Sequence, residues 1–254
     1  PSADYVLRMP PRGTKAASSH DMGREVVVQR ALAGSFPVPE IVAFCEDPGV
    51  IGAPFSLMSR VEGVILRADP PAGLDLGPSG ARGLAETMVD LLADLHRLDP
   101  GALGLQGLDR GPGYVRRQVV GWSNRYRRAR TPDVPGGEPV LPWLAQQQPA
   151  DNRRCLLPND GRLDNLVLDV ADPQRVLAVL DWEMATVGDP LLELGSALAY
   201  WVQADDDSAF RMLRRQPSDL PGMPGRREIV ERYLERSGMV LPESGFLFYE
   251  VFGL

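Results

Sequence analysis

Residues 155–169 read CLLPNDGRLDNLVLD. Two apolar runs flank a polar turn that holds Asp160 and, five positions later, Asn165. Taken alone, an Asp-x-x-x-x-Asn pair occurs by chance in many chains and could be an acidic turn between two strands. The continuation makes it more specific. LVLDV and RVLAVL read as two short strands, and the second delivers Asp181 at its end, followed by Trp182 and Glu183.

The order of these three side chains suits one kind of chemistry. Phosphoryl transfer needs an acceptor hydroxyl held in place, metal ions on the phosphates, and a polar group to take or orient the proton. In kinase-type sites an Asp meets the acceptor hydroxyl, and Asp160, Asn165 and Asp181 have the order and spacing of such a site. Asn165 and Asp181 are oxygen donors that could approach a metal from two sides.

Outward from this stretch the chain changes character. Towards the N-terminus, YVLRMP (residues 5–10), VPEIVAFCED and APFSLMSRVEG read as strands. Between the first two lies a helix, MGREVVVQRALAG, with Ser18, Ser19 and Asp21 as candidate N-caps and Gly34 as its closing glycine. From residue 63 onward helices dominate. A long one over GARGLAETMVDLLADLHRLD places Leu84, Met88, Leu91, Leu92 and Leu95 at helical spacing, with Ser79 as its expected cap. Further helices are expected over GYVRRQVVGWSNRYRRAR, VLPWLAQQQ, DPLLELGSALAYWVQ and GRREIVERYLERSG. The fold class expected is α+β, with a small strand-rich lobe over residues 1–62 and a larger, mainly helical lobe over 63–254. The chain opens on PSADYVLRMPP without an initiator Met, and FLFYEVFGL stops inside an apolar helical pattern. We expect further residues at both ends.

Bulk composition narrows the function classes. The 254 residues are 44% hydrophobic and 24% charged, with net charge −7. An acidic chain is a poor binder of nucleic acid, whose affinity rests on clustered Lys and Arg. The one arginine cluster, RYRRAR at 125–130, reads as a solvated helix face or a patch for an anionic substrate. Cys45 and Cys155 lie far apart, so a disulfide framework is not expected, and a cytoplasmic setting is the simplest reading. No apolar run approaches the roughly 20 residues that span a bilayer; no signal peptide and no membrane association are expected.

NDGRLDNLVLD together with VLAVLDWEMATVGDPLLELG resembles the aminoglycoside phosphotransferase-like kinases, in particular the subgroup found beside or fused to acyl-CoA dehydrogenases. YVLRMPP, GREVVVQRAL, FSLMSRVEG, LLADLHRLDP and LPGMPGRREIVERYLERSG fit the same subgroup in the same order. The resemblance covers nearly the whole chain and implies a bilobal protein-kinase-like fold. It implies transfer of the γ-phosphate of ATP or GTP to a hydroxyl of a small molecule, a hydroxyacyl compound being suggested by the subgroup. Asp160 would act as base or hydroxyl-orienting group, and Asn165 and Asp181 would hold Mg²⁺. Arg8 would pair with the phosphates and Glu25 with Arg8. The backbone from Met58 through Ser59 and Arg60 to Val61 would meet the adenine.

Three departures qualify the resemblance. Arg8 replaces the usual Lys, presenting a planar fork of donors instead of a point charge. Pro158 stands where the loop usually has His, removing a side-chain hydrogen bond and a backbone donor. This motivates an alternative reading, a nucleotide-binding pseudokinase with a regulatory role. A glycine-rich phosphate-covering loop would fall before Tyr5.

Other polar residues carry blander expectations. Asp164 is expected to stabilise the loop, Arg162 to form a salt bridge or touch phosphate, and Asp189 to cap the next helix and brace the loop. Glu183 is expected at the surface, and His96 to pack or meet a helix C-terminus. With only His20 and His96, neither near a second ligand, a zinc site is not expected. No Gly-x-Ser-x-Gly elbow supports a serine hydrolase. The four tryptophans are expected in the core or cleft wall, Trp182 lining the cleft.

Overall fold

The computed structural model describes residues 4–11, 21–133 and 137–254; Ser18, Ser19 and His20 fall outside them. Three antiparallel strands open the chain: β1 (Tyr5–Arg8), β2 (Ile41–Cys45) and β3 (Phe55–Ser59), in the order β1-β3-β2. Arg8 faces Ser56 and Tyr5 faces Ser59 in the β1–β3 register. Helix α1 (Met22–Leu32) packs on this sheet, burying Val26, Val28 and Leu32 together with the polar Glu25 and Gln29. Asp21 is its N-cap, accepting from the Arg24 N–H at 3.0 Å. Gly34, just past its end, has a positive φ of 79°, a conformation that costs glycine little.

The second lobe is built on α2 (Gly77–Leu95), whose apolar stripe buries Leu84, Met88, Val89 and Leu92. Ser79 does not cap it. The helix begins one turn earlier because Pro78 fits the first turn without losing a needed N–H, and the Asp75 carboxylate accepts from the Gly77 N–H at 3.0 Å. Helices α3 (Tyr114–Ala129) and α4 (Val140–Gln147) follow, then two hairpin-like ribbons. In the first, β4 (Cys155–Leu157) pairs with β7 (Thr186–Gly188); in the second, β5 (Leu166–Leu168) pairs with β6 (Val176–Val179). Helices α5 (Pro190–Leu198), α6 (Ser208–Arg211), α7 (Arg226–Ser237) and α8 (Leu247–Gly253) complete the lobe.

Helix α5 runs through the middle of this lobe and is buried over most of its length. Gly195 lets α8 cross it backbone to backbone, since a Cβ there would collide with the Tyr249 carbonyl. Along α2 and α7, Arg232 forks onto Asp90 at 2.8 and 2.9 Å, and Arg236 reaches Asp94 at 2.9 Å. Exposed pairs of this kind contribute little individually, about 0–1 kcal/mol each. The apolar seam beneath them carries the packing.

Among the described residues, two backbone ties fix the β5–β6 ribbon, one to the connector and one to the first lobe. Val64, just after the connector, exchanges both backbone hydrogen bonds with Leu168 at 2.8 Å. The Val179 N–H donates to the Pro37 carbonyl at 2.8 Å. Both ties land on the β5–β6 ribbon, which presents Asn165 and Asp181 at its ends. Cys45 and Cys155 are free thiols. No helix among the described residues is long and apolar enough to cross a membrane.

Candidate active site

The loop between β4 and β5 turns sharply at Asn159, whose φ is 62°. The left-handed region is uncommon outside glycine, and asparagine tolerates it better than most residues. The turn presents Asp160 between two partners. Arg162 meets it from one side, Nε to Oδ1 at 2.9 Å and Nη2 to Oδ2 at 3.0 Å. The Asn165 amide meets it from the other, donating to the Asp160 Oδ2 and to its backbone carbonyl, both at 2.8 Å. Burial raises the Asp160 pKa above the ordinary carboxylate value; Asn165 and Arg162 draw it back, while Asp164 and Asp181 push it up. Arg162 also lies 3.2 Å from Asp164 and stacks on the Tyr200 ring, 4.9 Å from its centroid.

Asn165 and Asp181 are neighbours through the backbone. The Leu180 N–H donates to the Asn165 carbonyl at 2.8 Å. Asp181 follows with φ 67°, a second left-handed turn. It reverses the chain, and the next two side chains diverge from their expected places. Trp182 is fully buried, donates its indole N–H to the Val179 carbonyl at 3.0 Å and meets Phe36 edge-on. It is core, not cleft lining. Glu183 is not a surface residue; its side chain is 15% exposed and its Oε2 lies 3.1 Å from Arg8.

Arg8 gathers the acidic groups from both lobes. Its Nε lies 2.9 Å from Glu25 and its Nη2 lies 2.6 Å from Asp181. Burial pushes the fully buried Glu25 up to about 7, although Arg8 draws it down; Asp181 and Glu183 add to the rise. The structure thus brings Arg8, Glu25 and Asp181 into one cluster and Asp160 and Asn165 into another, adjacent one. Met58 and Ser59 lie on β3, beyond the Ser56 that faces Arg8. The N–H groups of Ser59 and Arg60 already donate to Glu40 and Asp4 at 2.9 and 3.0 Å.

The donor set fits a hard cation. Because the Asn165 amide nitrogen is held by Asp160, its oxygen is the atom left to coordinate. Asp181 is 36% exposed and offers a carboxylate beside it. Among the described residues no group of three or more His, Cys, Asp or Glu is arranged to hold a metal unaided. Two oxygen ligands completed by phosphate and water is the usual manner of Mg²⁺ binding.

A cavity of about 240 Å³ opens beside the loop, lined by Arg110, Tyr114, Arg117, Gln118, Arg125 and Thr186 among others. Thr186 and Val187 belong to β7, the partner of the strand that runs into Asp160. Arg117 donates to the Gly111 and Pro112 carbonyls at 2.8 and 2.5 Å. Arg125 lies over Trp122, 4.5 Å from the ring centroid. Trp122 is half exposed, so of the two places expected for it, core or cleft wall, it is not in the core. Among the described residues neither Arg110 nor Arg125 is paired with a carboxylate.

Two residues beneath the loop were not singled out from the sequence as its supports. Glu193 accepts the Asn159 N–H at 2.6 Å, and His96 lies 2.9 Å from the other oxygen of that carboxylate. Asp189 caps α5, as expected, but braces Asn152 instead of the loop. The signal for Glu193 was an acid inside the apolar run PLLELG, where a charge needs a buried partner.

Residues 1–229 match the phosphotransferase enzyme family. The chain is 42% identical over 200 residues to acyl-CoA dehydrogenase family member 11 of Gallus gallus, covering 78% of this chain and 25% of that protein. It is 35% identical over 249 residues to family member 10 of Mus musculus, covering 97% of this chain and 23% of that protein. The chain therefore spans about a quarter of the length of these relatives. Among solved structures, a Ralstonia eutropha protein assigned as an aminoglycoside phosphotransferase is 31% identical, with a TM-score of 0.78, covering 98% of this chain and 72% of that one. A macrolide 2'-phosphotransferase type I, 21% identical, shares the fold with a TM-score of 0.65, covering 99% of this chain and 75% of that one. The chain belongs to the phosphotransferase enzyme family and has its bilobal α+β kinase-like fold.

Proposed function

We propose that this protein transfers the γ-phosphate of ATP or GTP to a hydroxyl group of a small molecule, with Mg²⁺. The observation that carries the reading is the convergence of Arg8, Glu25 and Asp181 on one side with Asp160 and Asn165 on the other, joined by the Leu180–Asn165 hydrogen bond. Residues 1–62 form the nucleotide lobe and 63–254 the lobe that carries the loop and the acceptor site.

In this reading Asp160 accepts the hydrogen bond of the acceptor hydroxyl and orients it for attack. Its raised proton affinity suits a group that takes a proton as the oxygen attacks. Asn165 and Asp181 hold Mg²⁺, which when bound neutralises phosphate charge. Arg8, fixed by Glu25, turns from Asp181 towards the phosphates. The nucleobase meets the backbone between Met58 and Val61. Since the Ser59 and Arg60 N–H groups are engaged within the sheet, its donor comes from Val61 onward.

The arginine-lined cavity supports an anionic acceptor, such as a hydroxyacyl compound, over a polycationic aminoglycoside. The reaction is assigned to the cytoplasm, the ordinary setting of nucleotide-dependent enzymes with free thiols. The pseudokinase alternative rests on Pro158. Asp160 nevertheless keeps its two partners, which favours the active reading.

The test is thermal stabilisation by ATP and GTP with and without Mg²⁺, followed by phosphate transfer to a panel of hydroxy acids and their thioesters. Stabilisation that needs Mg²⁺ and disappears in Asp181→Ala is expected. Tight nucleotide binding with no transfer across the panel would favour the pseudokinase; no binding of either nucleotide would defeat both readings.

A further inference from the structure

We propose that Tyr114 is a specificity-determining residue of the acceptor site: its ring, seated on Gly188, walls the arginine-lined cavity off from Asp160 and selects acceptors whose hydroxyl lies several atoms from their anionic group. The inference rests on the reading of that cavity as the acceptor site and of Asp160 as the group that meets the hydroxyl.

Tyr114 opens α3, where its N–H donates to Asp151 at 3.0 Å and Val115 beside it is buried. Its backbone is therefore fixed on both sides. The ring lies against β7. A Cβ at Gly188 would collide with the Cζ, Cε1 and Cε2 atoms of Tyr114, so the outer end of the ring rests directly on the strand backbone. Gly188 pairs with Cys155, at the start of the strand that runs into the loop, so ring and loop share one support. Tyr114 is largely buried and still lines the cavity.

The hydroxyl end of the ring reaches the loop. It donates to the Asn159 Oδ1 at 3.3 Å, and Asn159 is the residue immediately before Asp160. Burial, together with the carboxylates of Glu193 and Asp189, pushes the phenol pKa up. The hydroxyl therefore keeps its proton at neutral pH, which makes Tyr114 a wall with a donor at its tip and not a carrier of the reaction's proton.

An acceptor has to satisfy both sides of this wall. Arg110 and Arg125 draw its anionic group into the cavity. Its hydroxyl must come within hydrogen-bond reach of Asp160, beyond the ring. An α-hydroxy acid carries the two groups on neighbouring carbons and cannot straddle a phenol. A chain with a flexible spacer between them passes along the ring edge and meets both. The wall thus adds a length requirement to the charge requirement that the arginines impose.

The test is kcat/KM of the full chain for a homologous series from α- to ε-hydroxy acids, in wild type, Tyr114→Leu, Tyr114→Phe and Gly188→Ala. The wild type should prefer the longer spacers. One methylene of misfit changes kcat/KM about tenfold or more. Tyr114→Leu removes the outer end of the ring, so the shortest acids should gain about tenfold relative to the longest. Tyr114→Phe keeps the ring and should keep the preference. Gly188→Ala pushes the ring into the cavity and should sharpen the preference. The KM for nucleotide should stay unchanged in all three. If Gly188→Ala does not fold, the double variant Tyr114→Leu with Gly188→Ala gives the new Cβ the space that the ring left, and should fold with the preference relaxed. A wild type indifferent to spacer length, or a Tyr114→Leu variant that loses every acid alike, overturns the inference. A wild type that transfers phosphate to none of the acids counts against the kinase reading instead. Calorimetric titration of the same acids then decides the role of Tyr114 by itself: tighter binding of the longer spacers, lost in Tyr114→Leu, upholds it, and binding without that preference, or no binding, overturns it.

Discussion

Arg8 and Asp181 stand 173 positions apart in the chain and meet at 2.6 Å, where Nη2 also lies 3.1 Å from Glu183. One guanidinium thus bridges a shared acidic cluster that includes the fully buried Glu25. Removing Arg8 leaves that carboxylate buried and unpaired. Arg8→Ala should cost about 2–3 kcal/mol, below the range for fully enclosed pairs because Arg8 is 28% exposed. The cost should depend on pH. Burial raises Glu25 from 4.5 to about 7. A carboxyl raised in the folded state contributes stability that is fully present below pH 4.5 and lost as pH rises through about 7. Glu25→Gln should therefore flatten the stability profile across that window, and Arg8→Ala should cost more at pH 8 than at pH 5. Urea denaturation across pH measures both; a cost independent of pH would contradict the assignment.

Asp160→Asn keeps the size of the side chain and the contact with Asn165 but removes the charge that would take a proton. Turnover should fall about 10²–10⁴-fold with nucleotide affinity nearly unchanged. Single-turnover kinetics beside nucleotide titration separate the two quantities. Near-wild-type turnover would remove Asp160 from its role.

Much of this fold was legible because long apolar periodicities survive in the structure. Leu84, Met88 and Leu92 mark α2 as plainly in sequence as in space. Asp160, Asn165 and Asp181 were legible because strand lengths fix their separation. What stayed hidden depends on single backbone angles and buried partners. The left-handed turn at Asp181 sends Trp182 inward and Glu183 towards Arg8, and nothing in DWEM announces it. Strand β7 is three residues long and has no period to detect. The link between His96 and Glu193 joins positions 97 apart, and pairings of that kind carry no local signal.

The arginine cavity makes its own prediction. Arg110 and Arg125 are exposed and unpaired with carboxylates among the described residues, so alanine at either should leave stability nearly unchanged. A charge-assisted hydrogen bond contributes about 1.5–3 kcal/mol, so each substitution should raise the KM for an anionic acceptor about tenfold or more. The KM for nucleotide should not move. Added salt should weaken acceptor binding in the wild type more than in the variants. An acceptor KM indifferent to both substitutions would assign the cavity no part in acceptor recognition.

Helix α3, which carries Arg117 and Arg125 of that cavity, is held at its start by Asp151. Its carboxylate accepts from the N–H groups of Gly113, Tyr114 and Val115 at 2.5, 3.0 and 2.9 Å, satisfying donors that the first turn of α3 leaves open. Burial alone would raise this carboxyl, but the three N–H groups, with Arg117 nearby, outweigh it and hold the pKa below the ordinary 3.8. A carboxyl lowered in the folded state contributes stability that is present above its unfolded value and lost as pH falls through its folded value. Asp151→Ala should therefore cost about 1–2 kcal/mol at pH 7, the range for a lost helix cap, and less below pH 3. The loosened turn bears Tyr114 and Arg117, so the acceptor KM should rise with it while kcat for bound substrate changes little. Denaturation at the two pH values, read beside the acceptor KM, tests both. A stability cost that stays the same at low pH would mean that Asp151 holds α3 by shape and not by charge.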